Sequence, residues 1–137
     1  MNPKYMLDTN ICLYLMKHQP PEVRERFAQC FVGDVIISAV TLAELEFGIA
    51  CSSTAAQKSN RSALESLLDD IQVAPFEAQA AKAYGPIRAA NKDRNRDALD
   101  KLIAAHAVAI GVTLVTNNEA DFVNYAGLRV ENWISNH

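Results

Sequence analysis

Four stretches of this sequence place carboxylate or carboxamide side chains where helices should begin. Asp8 directly follows the apolar triplet Tyr5-Met6-Leu7. Thr41-Leu42-Ala43-Glu44, Asp97-Ala98-Leu99-Asp100 and Asn118-Glu119-Ala120-Asp121 share the spacing of a capping box. Taken singly, each has a plain structural role. Thr41, Asp97 and Asn118 would be N-caps, and Glu44, Asp100 and Asp121 third-position acids that satisfy loose N–H groups and the helix dipole. Taken together they suit a different chemistry. In a parallel α/β sheet the helix starts beside the strand carboxyl ends share one edge, where ligands bind. Asp8, Glu44, Asp100 and the Asn118–Asp121 turn can therefore converge although they are far apart in the chain. Two carboxylates about 4 Å apart repel by roughly 4 kcal/mol at an effective dielectric of about 20. A shared proton or a divalent cation must compensate. Helix N-termini favour the ionised form, hence the cation. All-oxygen ligands with open positions suit Mg²⁺ or Mn²⁺, and phosphate esters are the usual substrates of such sites.

The elements that must hold these residues follow from the hydrophobic pattern. Tyr5-Met6-Leu7 reads as a short strand, and Ile11 to Met16 as a helix-compatible run that Pro20-Pro21 ends. Glu22–Phe31 reads as a second helix, and the β-branched Val35-Ile36-Ile37 as a buried strand. Thr41–Ala50 and Ala63–Ile71 are predicted helices, with a short strand at Gln72-Val73-Ala74. Glu77–Asn91 is Ala-rich and helical. Ala98–Ile110 is a strong helix with Leu99, Leu102, Ile103, His106 and Ile110 near one face, stopped by Gly111. Val112–Val115 is another buried strand, and Leu128-Arg129-Val130 closes the series. Apolar strands alternating with helices predict a three-layer α/β/α sandwich around a parallel sheet of four or five strands.

Length and composition set the bounds. At 137 residues and 15.1 kDa the chain has the size of one domain, residues 1–137. It can bury about two-thirds of its surface without staples. Hydrophobic residues at 50% and charged residues at 21% exclude disorder. Apolar runs such as Ala104–Val115 are too short for a membrane span, and the N-terminus lacks a signal-peptide core. A cytoplasmic location is expected. The net charge of −3 gives little bulk attraction for nucleic acid, so a local patch, a metal ion or a partner would have to supply it. Cys12, Cys30 and Cys51 lack C-x-x-C spacing and predict apolar packing in a reducing compartment.

At these residues the chain resembles the PIN-domain ribonucleases of the VapC toxin type. The resemblance runs through Met6-Leu7-Asp8-Thr9-Asn10-Ile11, Ser38-Ala39-Val40-Thr41-Leu42-Ala43-Glu44-Leu45 and Asp100-Lys101-Leu102-Ile103-Ala104-Ala105-His106-Ala107. It continues through Leu114-Val115-Thr116-Asn117-Asn118, Gly127-Leu128 and Glu131-Asn132-Trp133. The ordered set covers nearly the whole chain and is specific, although each motif alone is weak. The resemblance implies a PIN-like fold and a metal-dependent endoribonuclease, with Asp8, Glu44 and Asp100 as metal ligands and Mg²⁺ or Mn²⁺ as cofactor. It also implies a structured RNA such as a tRNA as target, a homodimer, and a small antitoxin that blocks the acidic pocket. Many members carry a fourth Asp where this chain has Asn118, which leaves the fourth oxygen donor open between Asp121, Glu119 and Asn118 itself, weakly or through water. Asp97 stands where many members have a Gly/Pro-containing loop, and reads as a cap.

Supporting roles follow. Thr9 and Asn10 are candidates to orient Asp8 or a water, Asn10 being equally a helix cap, and Thr116 to hydrogen-bond acids at the sheet edge or merely turn the chain. His106 is expected to pack or make a structural hydrogen bond, and Trp133 to plug the core. Arg24, Arg26, Arg88, Arg94 and Arg96 are candidate phosphate contacts. An antitoxin Arg or Lys is expected between Asp8 and Asp100, with an apolar helix over Ile11, Leu15 and Phe27. The non-catalytic alternative is an interaction module whose acids only cap helices. A haloacid-dehalogenase-type phosphatase would need a second Asp where Asn10 stands.

Overall fold

A computed structural model describes residues 2–91, 98–122 and 125–134. Among the described residues five strands form one sheet: β1 (Tyr5–Leu7), β2 (Val35–Ser38), β3 (Gln72–Ala74), β4 (Thr113–Val115) and β5 (Val130–Glu131). Their order is β3-β2-β1-β4-β5, and every pairing is parallel, as the alternation predicts. Among the described residues six α-helices cover it: α1 (Thr9–Lys17), α2 (Pro21–Ala28), α3 (Ala39–Cys51), α4 (Thr54–Asp70), α5 (Ala78–Ala90) and α6 (Ala98–Ile110).

The strand pleat separates two cores. Leu7, Val35, Ile37 and Val115 point to the side of Ile11, Leu15, Leu64 and Leu67, on α1 and α4. Met6, Ile36 and Leu114 point the other way, to Ile87 on α5 and Ile103, Ala104 and Ala107 on α6. Successive strand residues face opposite sides, so continuous apolar triplets require helices on both faces. No helix among the described residues is long and apolar enough to cross a membrane.

Several boundaries differ from the sequence reading. α4 begins at Thr54, capped by Ser53, because the polar turn Gln57–Asn60 continues the helix along an exposed face. The last strand is Val130–Glu131, set by its pairing with Leu114 and Val115. On α6 the buried arc is Lys101, Ile103–Ala107, while Leu99 is 46% exposed and Ile110 also faces solvent. The small Ala side chains form the inward face. Cys12 is buried as expected, but Cys51 at the end of α3 is exposed, so it does not pack a core.

Candidate active site

Asp8 leaves β1 at the carboxyl edge of the sheet. Its N–H donates to the Val115 carbonyl at 3.0 Å, continuing the pairing with β4. Its own backbone is extended and its Oδ1 accepts from the Ile11 N–H at 2.9 Å, so Asp8 is the N-cap of α1. Asn10 therefore is not a cap; it lies inside the first turn of α1, exposed. Asp8 is only 6% exposed. Burial pushes its carboxyl above the usual Asp value, and the charge of Glu44 adds to that, against hydrogen bonds from the Thr116 side chain and the Ile11 and Asn10 N–H groups.

Glu44 comes to Asp8 on α3. That helix is capped by Ser38, whose Oγ accepts from the Val40 N–H at 3.0 Å. Thr41 is thus not an N-cap. It is fully buried in the first turn, and its Oγ1 has no hydrogen-bond partner among the described residues. The cap falls three residues earlier because Ser38, still paired with Ala74 in the sheet, already has its hydroxyl at the helix start. Glu44 then sits in the second turn, beyond reach of loose helix-start amides. Its Oε1 accepts instead from Thr9 Oγ1 at 2.8 Å. The capping explanation of Glu44 fails: its carboxylate is held by Thr9, the residue that follows Asp8.

Asp100 occupies the first turn of α6. Since α6 ends at Ile110 and β4 starts at Thr113, the helix runs back from the carboxyl edge, and its first turn lies there. Asp97 lies outside the described residues. After β4, Thr116 turns the chain and serves both expected roles: it bonds Asp8, and its Oγ1 accepts from the Asn118 N–H at 3.1 Å. Asn118 is exposed, and its carbonyl accepts from the Asp121 N–H at 3.0 Å. Glu119 accepts from Asn132 Nδ2 at 3.1 Å. Among the described residues no three His, Cys, Asp or Glu side chains converge tightly enough to hold a metal ion alone. The structure pairs Asp8 with Glu44 and engages each with its own threonine hydroxyl; it does not close Asp8, Glu44 and Asp100 into one cluster.

Around the acids, other expectations resolve. His106 is buried, with Nδ1 2.8 Å from Ser38 Oγ and its ring edge-to-face with Phe76. Trp133 plugs the core and packs on Tyr5. Arg26 is not a free phosphate contact: its guanidinium lies 5.3 Å from the Tyr5 ring centre and 5.2 Å from that of Trp133, and bonds Glu131. Arg24 bonds His18 and Arg88 bonds Tyr84, while Arg94 and Arg96 lie outside the described residues. Ile11 and Leu15 are buried, against the expectation of incomplete burial, whereas Phe27 is half-buried as expected and lines a small cavity of about 90 Å³ with Leu15. A groove lies on the next faces of α1 and α3. Leu13, Met16, Leu45, Gly48 and Ile49 line about 390 Å³ of it, and Thr9 and Glu44 stand in its wall. Sequence reasoning missed Ser38 and this groove. The signal was present: Gly48 interrupts a helical pattern, which calls for a packing or functional reason.

Comparison with known proteins agrees with this fold. The PIN domain profile matches residues 5–128. The tRNA(fMet)-specific endonuclease VapC of Shigella flexneri is 41% identical over 95% of this chain and 98% of its own length. Ribonuclease VapC2 of Haemophilus influenzae is 35% identical over 96% and 98%. Among solved structures, DNA-bound VapBC from Salmonella typhimurium superposes with a TM-score of 0.83 at 35% identity, covering 96% of this chain and 99% of that one. VapBC2 from Rickettsia felis, bound to a promoter DNA fragment, gives 0.80 at 32% identity, covering 95% and 98%. With an all-parallel five-stranded sheet, acids at its carboxyl edge and full-length identity of this order, the chain belongs to the PIN-domain family, among the VapC ribonucleases.

Proposed function

We propose that this chain is the toxin of a toxin–antitoxin pair, an endoribonuclease dependent on Mg²⁺ or Mn²⁺ held by Asp8, Glu44 and Asp100 directly or through water. The observation that carries the reading is the buried Asp8 carboxylate set against Glu44, whose charge opposes its ionisation. The donor set fits a hard cation: these are oxygen ligands with no Cys or His among them, and a cation removes the repulsion that the pair otherwise bears. When bound, such a cation supplies electrostatic stabilisation of the charge that builds on the phosphodiester and acidifies the attacking water.

The protein groups have separate tasks. Hydrogen bonds from Thr116 and the Ile11 and Asn10 N–H groups favour the ionised form of Asp8. Thr9 holds one oxygen of Glu44 at 2.8 Å, leaving the other to orient water. Asp100 completes the acidic edge from α6, and Asn118 or Asp121 on the loop after β4 is the fourth oxygen donor. The substrate class is a structured RNA, with tRNA the first candidate because close relatives are named for it.

The groove beside Glu44 suits the antitoxin. Its apolar lining accepts a helix from a small protein, and Glu44, which shares the lining with Lys17, accepts an Arg or Lys. The test is cleavage of purified tRNA by the isolated chain. Cleavage with Mn²⁺ or Mg²⁺, lost with chelator and in Asp100→Asn, is the expected result. Intact RNA, or cutting indifferent to chelator, would exclude the reading.

A further inference from the structure

His106 is a buried polar side chain outside the proposed metal ligands. It stands on α6, 1% exposed, six residues beyond Asp100. Its Nδ1 lies 2.8 Å from the Ser38 hydroxyl, which is itself fully buried and caps α3 through the Val40 N–H. The ring also bonds the backbone of Pro75, just past β3. Proline has no N–H, so Pro75 accepts through its carbonyl, and an imidazole N–H must donate. With Nδ1 on Ser38, that donor is Nε2. Nδ1 is then the acceptor and the Ser38 O–H the donor.

One hydroxyl therefore joins the two helices that carry the acids. Six residues separate Ser38 from Glu44 along α3, and six separate His106 from Asp100 along α6, about 9 Å of helix in each case. We propose that His106 is a positioning residue, which through Ser38 sets the amino end of α3, and hence Glu44, at a fixed place relative to α6 and Asp100. The inference rests on the nuclease reading, because only that reading requires the two acids to keep a set separation. Burying a hydroxyl, an imidazole and a helix cap together is warranted if each satisfies the others, which this chain of bonds does.

The experiment compares wild type with His106→Leu, Ser38→Ala, the double variant and His106→Asn. Leu keeps most of the volume and removes the acceptor; Asn leaves a void but keeps an oxygen near the Nδ1 position. Three quantities are read: kcat and KM on RNA, thermal midpoint, and hydrogen exchange of the Val40 amide. Both single variants should lower kcat by about ten-fold or more with KM little changed. The double variant should lose no more than the worse single one. Val40 should exchange faster in both, and His106→Asn should recover most of kcat although its void lowers the midpoint. Additive losses, unchanged Val40 exchange, or an Asn variant as impaired as Leu would overturn the bridge. If His106→Leu does not fold, Ser38→Ala decides alone: a normal kcat would overturn it. A wild-type chain that leaves RNA intact overturns the nuclease reading itself, which separates the two failures.

Discussion

At the residue scale Asp8 has two tasks that different substitutions can divide. Its Oδ1 caps α1 and its carboxyl faces Glu44. Asp8→Asn keeps an oxygen for the Ile11 N–H and loses the charge; Asp8→Ala loses both. Both variants should reduce RNA cleavage by about 100-fold or more. In urea denaturation only Ala should be less stable, by about 1 kcal/mol. Thr9→Val is nearly isosteric and removes the bond to Glu44; it should lower kcat by about ten-fold or more while leaving the thermal midpoint near wild type. The acids and Thr9 were legible in the sequence because their spacing from strand ends survives folding. Their partners were not. That Thr9 reaches Glu44, and that Thr116 reaches Asp8, depends on which strands are neighbours, and β1 sits between β2 and β4 for reasons no local spacing records.

Among the elements, α3 shows where local signals mislead. Thr41-Leu42-Ala43-Glu44 has capping-box spacing, yet Ser38 takes the cap because the strand hands over to the helix without a loop. Likewise α6 looked amphipathic through Leu99 and Ile110, which face solvent, whereas the Ala-rich arc packs inward. The tertiary partner decided the face. The bridge between α3 and α6 also predicts a pH dependence. Burial holds His106 below its ordinary value near 6.5, with the Pro75 carbonyl and the Glu77 charge opposing. The folded state thus binds protons less readily than the unfolded one. Its contribution to stability is present above about pH 6.5 and is lost as pH falls through the lowered value. Between pH 8 and pH 5 the wild-type thermal midpoint should drop more than that of His106→Asn. Equal drops would show that His106 titrates normally.

For the whole molecule, the groove is the feature that folding adds. Alternation of strands and helices gave the sheet and its two cores from sequence, but helix faces left uncovered depend on how α1, α3 and α4 splay. Ile11 and Leu15 turned inward, leaving Leu13 and Met16 to line the opening. Gly48 gives the groove its depth: a Cβ there would meet no atom within 4 Å. Gly48→Leu should fold well, since it removes a helix-interior glycine worth about 1 kcal/mol. It should still cut RNA, but it should fail to retain a co-expressed antitoxin on affinity capture. Retention at the wild-type level would move the partner elsewhere.

Under the proposed function Asp8 at the cap of α1, Glu44 in the second turn of α3 and Asp100 in the first turn of α6 share one divalent cation. Calorimetric titration of Mn²⁺ into the purified chain tests this most directly, with Asp8→Asn, Glu44→Gln and Asp100→Asn alongside. Saturable binding by wild type and loss of that binding in each variant are expected, with thermal midpoints close to wild type. A wild-type chain that binds no Mn²⁺, or an Asp100→Asn variant that binds it unchanged, would rule out a cation shared by these three acids.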